Sequence, residues 1–152
     1  MHKPTNPWKS YRQIATQTAP PGQLILMLYD GALNYLAHAK VAFTNPELGE
    51  RNVAVHNNLQ KAVNIIRELN SSLNLEAGGD LASTLRDLYL YFESRILESN
   101  LKKNPVGLDE VAKHIKELRD AWSSMLAKEN PHGAAAAESA GEVWVNPDMR
   151  AA

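Results

Sequence analysis

Five clusters of proline and glycine partition this chain, at Pro20-Pro21-Gly22, Asn45-Pro46, Gly78-Gly79, Asn104-Pro105 and Asn130-Pro131. The stretches between them hold no proline and no strand-like alternation. Because proline cannot sit inside a regular helix and glycine commonly follows the end of one, these intervals read as helices. The spacing predicts four of them, at 21–43, 47–74, 80–103 and 107–128, with Gly78-Gly79 as a helix-ending turn. An N-terminal arm over 1–20 and an Ala/Gly-rich, flexible C-terminal tail over 129–152 flank them, and no internal repeat is visible.

The fourth interval carries the plainest pattern: Leu108, Val111, Ile115, Leu118, Trp122 and Met125 follow steps of three and four, one apolar stripe on a charged helix. The second repeats it with Val55, Leu59, Ala62, Ile66, Leu69 and Leu73. Striped helices joined by short turns bury their stripes against one another, so the fold class is all-α, an antiparallel up-and-down four-helix bundle. At 44% hydrophobic and 22% charged residues, the 152-residue chain has enough apolar content for one core.

The first and third helices carry more. At about 100° per residue, Ile25, Leu28, Tyr29, Ala32, Leu36, Ala39 and Phe43 share one face of the first. Leu24 and Tyr35 fall on one flank and Leu26 and Leu33 on the other, an apolar arc of roughly 200°, wider than a surface helix needs. On the third, Leu81, Leu85, Leu88, Tyr89, Phe92 and Ile96 make the core face, while Leu90, Leu97 and Leu101, with Ser94 between them, line the opposite side. An outer leucine row is what a second helix would lie against. Its cover is a foreign partner, another part of this chain, or a second copy. In the arm, Trp8, Tyr11 and Ile14 are three apart and make one apolar face, suited either to a detachable cover or to a permanently packed arm.

Charge and chemistry narrow the function. The net charge is −1, without the basic excess that a phosphate backbone requires, so nucleic acid is not an expected partner. The longest apolar run, Leu24 to Tyr29, falls far short of the ~20 residues that cross a bilayer, and the polar start is not a signal peptide. With no cysteine there are no disulfides, thiolate ligands or thiol nucleophiles. The histidines, His2, His38, His56, His114 and His132, are scattered; Glu110 and His114 share a face but cannot alone complete a metal site. No phosphate-binding glycine loop or nucleophile elbow occurs. Asp30 inside the apolar first helix reads either as an acid or as a groove-edge hydrogen bonder, and no base stands near it in sequence. No catalytic, cofactor or metal residue is therefore expected. The tail is a separate piece: one Arg against four acids gives it −3, leaving +2 for residues 1–128, and its only large apolar cluster is Val143, Trp144 and Val145, either incidental or a docking segment.

These residues resemble a family. Asn6-Pro7-Trp8 followed by Tyr11, the string from Pro21-Gly22-Gln23-Leu24 through Tyr29-Asp30-Gly31-Ala32-Leu33, Ile66-Arg67-Glu68-Leu69-Asn70-Ser71-Ser72-Leu73, Gly78-Gly79 and Leu118-Arg119-Asp120-Ala121-Trp122 are similar to the bacterial flagellar export chaperones of the FliS family, over residues 6 to about 128. The resemblance implies a non-enzymatic, cytoplasmic protein without cofactor. It would bind the C-terminal helical segment of flagellin, prevent premature polymerisation and deliver flagellin to the flagellar type III export apparatus. It also implies an arm that covers part of the groove when flagellin is absent, with the export gate or a co-chaperone as further partners. The partner-binding residues expected here are Trp8, Tyr11 and Ile14 of the arm, Leu24, Met27 and Tyr35 of the first helix, and Leu90, Leu97 and Leu101 of the third. The free chain is then a monomer or a weak homodimer.

Three departures stand out. Pro20-Pro21-Gly22-Gln23 replaces the family's capping box, a loss of about 1 kcal/mol at the start of the first helix. Trp8 stands where tyrosine is more usual, and the tail exceeds the family's usual length. The competing reading is a self-assembling helical protein whose Leu90, Leu97 and Leu101 row is a homodimer seam.

Overall fold

The computed structural model describes residues 21–129, so the arm and the tail lie outside the described residues. Helix α1 spans Pro21–Ala42, α2 Leu48–Ser71, α3 Leu75–Lys102 and α4 Leu108–Glu129, with a 3-10 turn at Pro105–Gly107 leading into α4. Among the described residues there is no strand. α1 packs against α2 and α4, and α3 packs against α2 and more sparsely against α4, leaving α1 and α3 at opposite corners of an antiparallel bundle.

Short polar side chains start the helices by accepting amide protons that have no helical partner. The Glu47 carboxylate accepts from the Gly49 and Glu50 amides, Asn74 from Ala77 at 3.0 Å, and Asn104 from Val106 at 3.0 Å. Asn74 marks the largest departure from the expected boundaries. The stripe carries α2 on to Leu73, which is indeed buried, but the helix ends at Ser71 and Asn74 caps a new one. Gly78-Gly79 ends the short helical turn that Asn74 starts, as expected of a helix-ending pair, and the main run of α3 begins at Asp80, beyond the non-helical Gly79 (φ 54°, ψ −134°). This backbone region is almost exclusive to glycine, and a Cβ built there meets nothing within 4 Å. Gly79→Ala should therefore destabilise by about 1–3 kcal/mol through backbone strain alone, readable as a shifted denaturation midpoint with unchanged slope.

Beyond Gly79, α3 is regular. Its buried seam runs through Ala82, Leu85, Tyr89, Phe92, Ile96 and Ser99, alternating steps of three and four. Leu81, expected in the core, is 53% exposed because Ala82 occupies the seam one position later, and Leu88 is half-buried on its flank. The expected stripe of α2 is buried throughout; in α4, Leu108, Val111, Ile115 and Trp122 are buried, while Leu118 and Met125 are half-buried at the edge of the core.

The wide apolar arc of α1 is used inside the bundle. One flank faces α2: Leu24 is buried in the core, and a Cβ on Gly31 would lie 3.1 Å from Ile65 Cδ1. The other faces α4, where a Cβ on Gly22 would come within 2.7 Å of Leu126, and where Leu26 and Leu33 are half-buried against the core. A helix that packs on two neighbours needs an arc of this width, so the surplus expected on α1 is not a free surface.

Across the core the hydroxyls of Tyr29 and Tyr89 meet at 2.5 Å, joining the opposite corners α1 and α3. Burial, chiefly, pushes both phenols well above the ordinary tyrosine value. Their protons are retained in the folded chain and released by the unfolded one above pH ~10, so the unfolded state then binds fewer protons and stability falls as pH rises. The expected slope approaches about 2.7 kcal/mol per pH unit above pH ~10 for the two groups, and Tyr29→Phe with Tyr89→Phe should flatten that limb in alkaline melting curves.

Candidate functional site

On α3 the outer row is exposed as expected: Leu90 at 47%, Leu97 at 38% and Leu101 at 85%, with Ser94 also exposed. Ser94 is the floor of a depression. On a helix its neighbours at i−4, i−3, i+3 and i+4 are Leu90, Tyr91, Leu97 and Glu98, larger side chains that leave a hole over the small serine where a partner's side chain could rest. Three of the four are apolar or aromatic. Sequence reasoning named the two leucines but missed Tyr91, whose exposed ring walls the hole while its hydroxyl donates to the Glu110 carboxylate of α4. The signal was present in its place three residues before Ser94.

Charged groups fix the frame around this row. Glu93 accepts from Arg67 of α2 at 2.7 Å, and Asn100 meets His56 of α2 at 3.0 Å. On the other side Arg95 lies 3.6 Å from Glu110, and His114 of α4 stacks on Phe92 with ring centroids 6.2 Å apart. α3 is thus held to α2 and α4 by its flanks, and the leucine row between these flanks faces away from both. Glu98 at the rim is drawn below the ordinary carboxylate range by its hydrogen bond from Lys102.

The residues expected on α1 do not join that row. Leu24 is 2% exposed in the core and has no surface to offer. Met27 is half-buried against the core, and Tyr35 is half-buried beside α2, where Lys61 Nζ sits 5.5 Å from its ring centroid and His38 meets it edge-on at 6.4 Å. Since α1 and α3 occupy opposite corners, the two sets lie on separate faces of the bundle. Trp8, Tyr11 and Ile14 lie outside the described residues.

Little else in the described residues offers chemistry. Asp30 accepts from Arg119 Nε at 2.7 Å across the α1/α4 seam, the hydrogen-bonding role, and this bond raises the Arg119 guanidinium further. Both partners are more than a third solvent-exposed or nearly so, and such a pair contributes little to stability. Among the described residues no three His, Asp or Glu side chains gather as metal ligands, and no helix is long and apolar enough to cross a membrane.

Most of the chain is similar to known proteins. Residues 4–129 match the family model described as "Flagellar protein FliS". The chain is 36% identical over 124 residues to the flagellar secretion chaperone FliS of Bacillus subtilis (strain 168), covering 82% of this chain and 89% of that protein. It is 34% identical over 125 residues to the flagellar secretion chaperone FliS of Salmonella typhimurium, covering 79% and 90%. With the protein of the same name from Vibrio cholerae the identity is 33% over 124 residues, covering 77% and 86%. The family match ends where α4 ends, so the tail lies beyond it.

Proposed function

The chain belongs to the FliS family of flagellar secretion chaperones, and from that premise we propose that it binds the C-terminal helical segment of flagellin in the cytoplasm, keeps it from polymerising and passes it to the flagellar type III export apparatus. The observation that carries this reading is the exposed Leu90, Ser94, Leu97 and Leu101 row on a helix whose opposite face is already filled with core. An amphipathic helix laid there would bury leucines that now face water, at about 25 cal/mol for each Å² removed. Met27 and Tyr35 lie on another face, so a segment that used both sets would have to wrap around the bundle rather than sit in one pocket. Export-gate or co-chaperone contacts would use surfaces left free by such a segment.

The arm joins α1 at Pro21, and in this reading Trp8, Tyr11 and Ile14 cover the half-buried Met27 and Tyr35 until flagellin displaces them. A ligand excluded by a closed state loses affinity in proportion to the closed population. A chain starting at Thr16 should therefore bind the flagellin C-terminal segment several-fold more tightly by calorimetry than the full chain, and should take up more apolar dye when free. Equal or weaker binding would mean that the arm contacts flagellin instead. Measured mass separates the competing reading: a chain that is dimeric alone and gains no mass with the segment puts a second copy on the leucine row.

A further inference from the structure

The hole around Ser94 is walled by Leu90, Tyr91 and Leu97, and it lies on α3, at the corner of the bundle opposite α1. A cover for it must reach it. The described chain ends with α4 at Glu129, and α4 is a direct neighbour of α3: His114 stacks on Phe92 at 6.2 Å, two residues before Ser94. From His114 to Glu129 is about 22 Å of helix, so Ser94 stands roughly 25 Å along the bundle axis from the point where the tail departs. The roughly thirteen residues between Glu129 and Val143 span up to about 43 Å when extended, enough for that rise and for passage around one helix, whose diameter is about 10–12 Å. The arm departs from α1 and would have to pass a further helix of that width before reaching the same row.

Composition points to the same occupant. Val143, Trp144 and Val145 are the tail's one cluster of large apolar side chains. A tryptophan ring covers about 200 Å² and suits a depression with a serine floor and apolar walls two helical turns apart. A short tether holds the effective concentration of such a segment near the millimolar range, so a weak contact suffices to keep it in place.

We propose that the tail docks on α3 in the free chain, with Trp144 in the Ser94 hole between Leu90 and Leu97, as an intramolecular stand-in for the partner helix. The arm and the tail would then cover different faces, α1 and α3 respectively. The docking itself requires nothing of flagellin; only its role as a competitor rests on the function proposed above.

Amide NMR spectra of the full chain and of full-chain Trp144→Ser test it. Resonances of Leu90, Ser94, Leu97 and Glu98 should shift while those of Val41 and Val53, exposed elsewhere, stay in place. In full-chain Leu97→Glu, the Trp144 indole N–H should move to its position in denatured chain. An unmoved leucine row overturns the proposal, as do row shifts that grow with protein concentration, which indicate a second copy, or row shifts produced by Trp8→Ser instead. Flagellin titration separates the two readings. Trp144→Ser should tighten binding several-fold; unchanged affinity alongside shifted row resonances would keep the docking and remove the shared surface.

Discussion

Changing Leu90 and Leu97 together to lysine should abolish flagellin binding, at least a hundredfold loss, while leaving the fold intact. Both side chains project from the outer row of α3, 47% and 38% exposed, and neither belongs to the core cluster. Surface substitutions of this kind usually change stability by no more than about 0.5 kcal/mol each, so helicity and melting temperature should hold. Binding differs because the partner would have to bury two ammonium groups against an apolar face. An unpaired charge taken out of water costs several kcal/mol, and a hundredfold loss corresponds to only about 2.7 kcal/mol. Val53→Lys on α2, at a side chain 61% exposed, supplies the control and should bind as the unmodified chain does. A double variant that melts normally and binds within threefold of the original would place the flagellin surface elsewhere.

That test is possible because the outer row could be read from spacing. Leu90, Leu97 and Leu101 lie about 130° round the helix from the core stripe, and no arrangement of a four-helix bundle buries both sides of one helix at its corner. The stripes of α2 and α4 were legible for the same reason, since a helix with one narrow apolar face has one way to bury it. The readings that departed from the structure involve relations between helices. Leu24 and Tyr35 were flank residues by angle, but whether a flank faces water or a neighbour depends on how closely α1 and α2 approach, and the 3.1 Å space above Gly31 that permits that approach is a tertiary fact. Leu81 was assigned to the core on period alone. Leu81 and Ala82 stand four and three residues before Leu85, so helical period admits either, and packing against the neighbouring helices selects Ala82. Tyr91 was overlooked because its ring walls a hole made by its neighbours rather than lying in the leucine row itself.

The indole of Trp122 has a comparable relation to the start of α1, and its removal should give the largest loss of stability. Trp122 is 2% exposed, and its Nε1 donates at 2.6 Å to the carbonyl of Gly22 in the first turn of α1. That turn contains no acidic side chain, and the proline pair before it replaces the expected capping residue, so the bond from α4 supplies tertiary anchorage where local capping is weak. Gly22 itself fits only because it lacks a Cβ, which would stand 2.7 Å from Leu126. Trp122→Ala removes the ring from the core and the donor from the carbonyl, and should cost about 3–5 kcal/mol, a fall of roughly 10 °C or more in melting temperature. Trp122→Phe keeps most of the apolar volume but not the donor, and should lose a smaller part, about 1–3 kcal/mol. The consequence for function follows from position, since the arm leaves the bundle at Pro21, one residue before the anchored carbonyl. If the arm covers Met27 and Tyr35 as proposed above, loosening α1 there removes its fixed origin, so Trp122→Phe should bind more apolar dye than the unmodified chain at temperatures where both are folded. Equal dye binding, with the expected drop in melting temperature, would separate the anchor's contribution to stability from any hold on the arm.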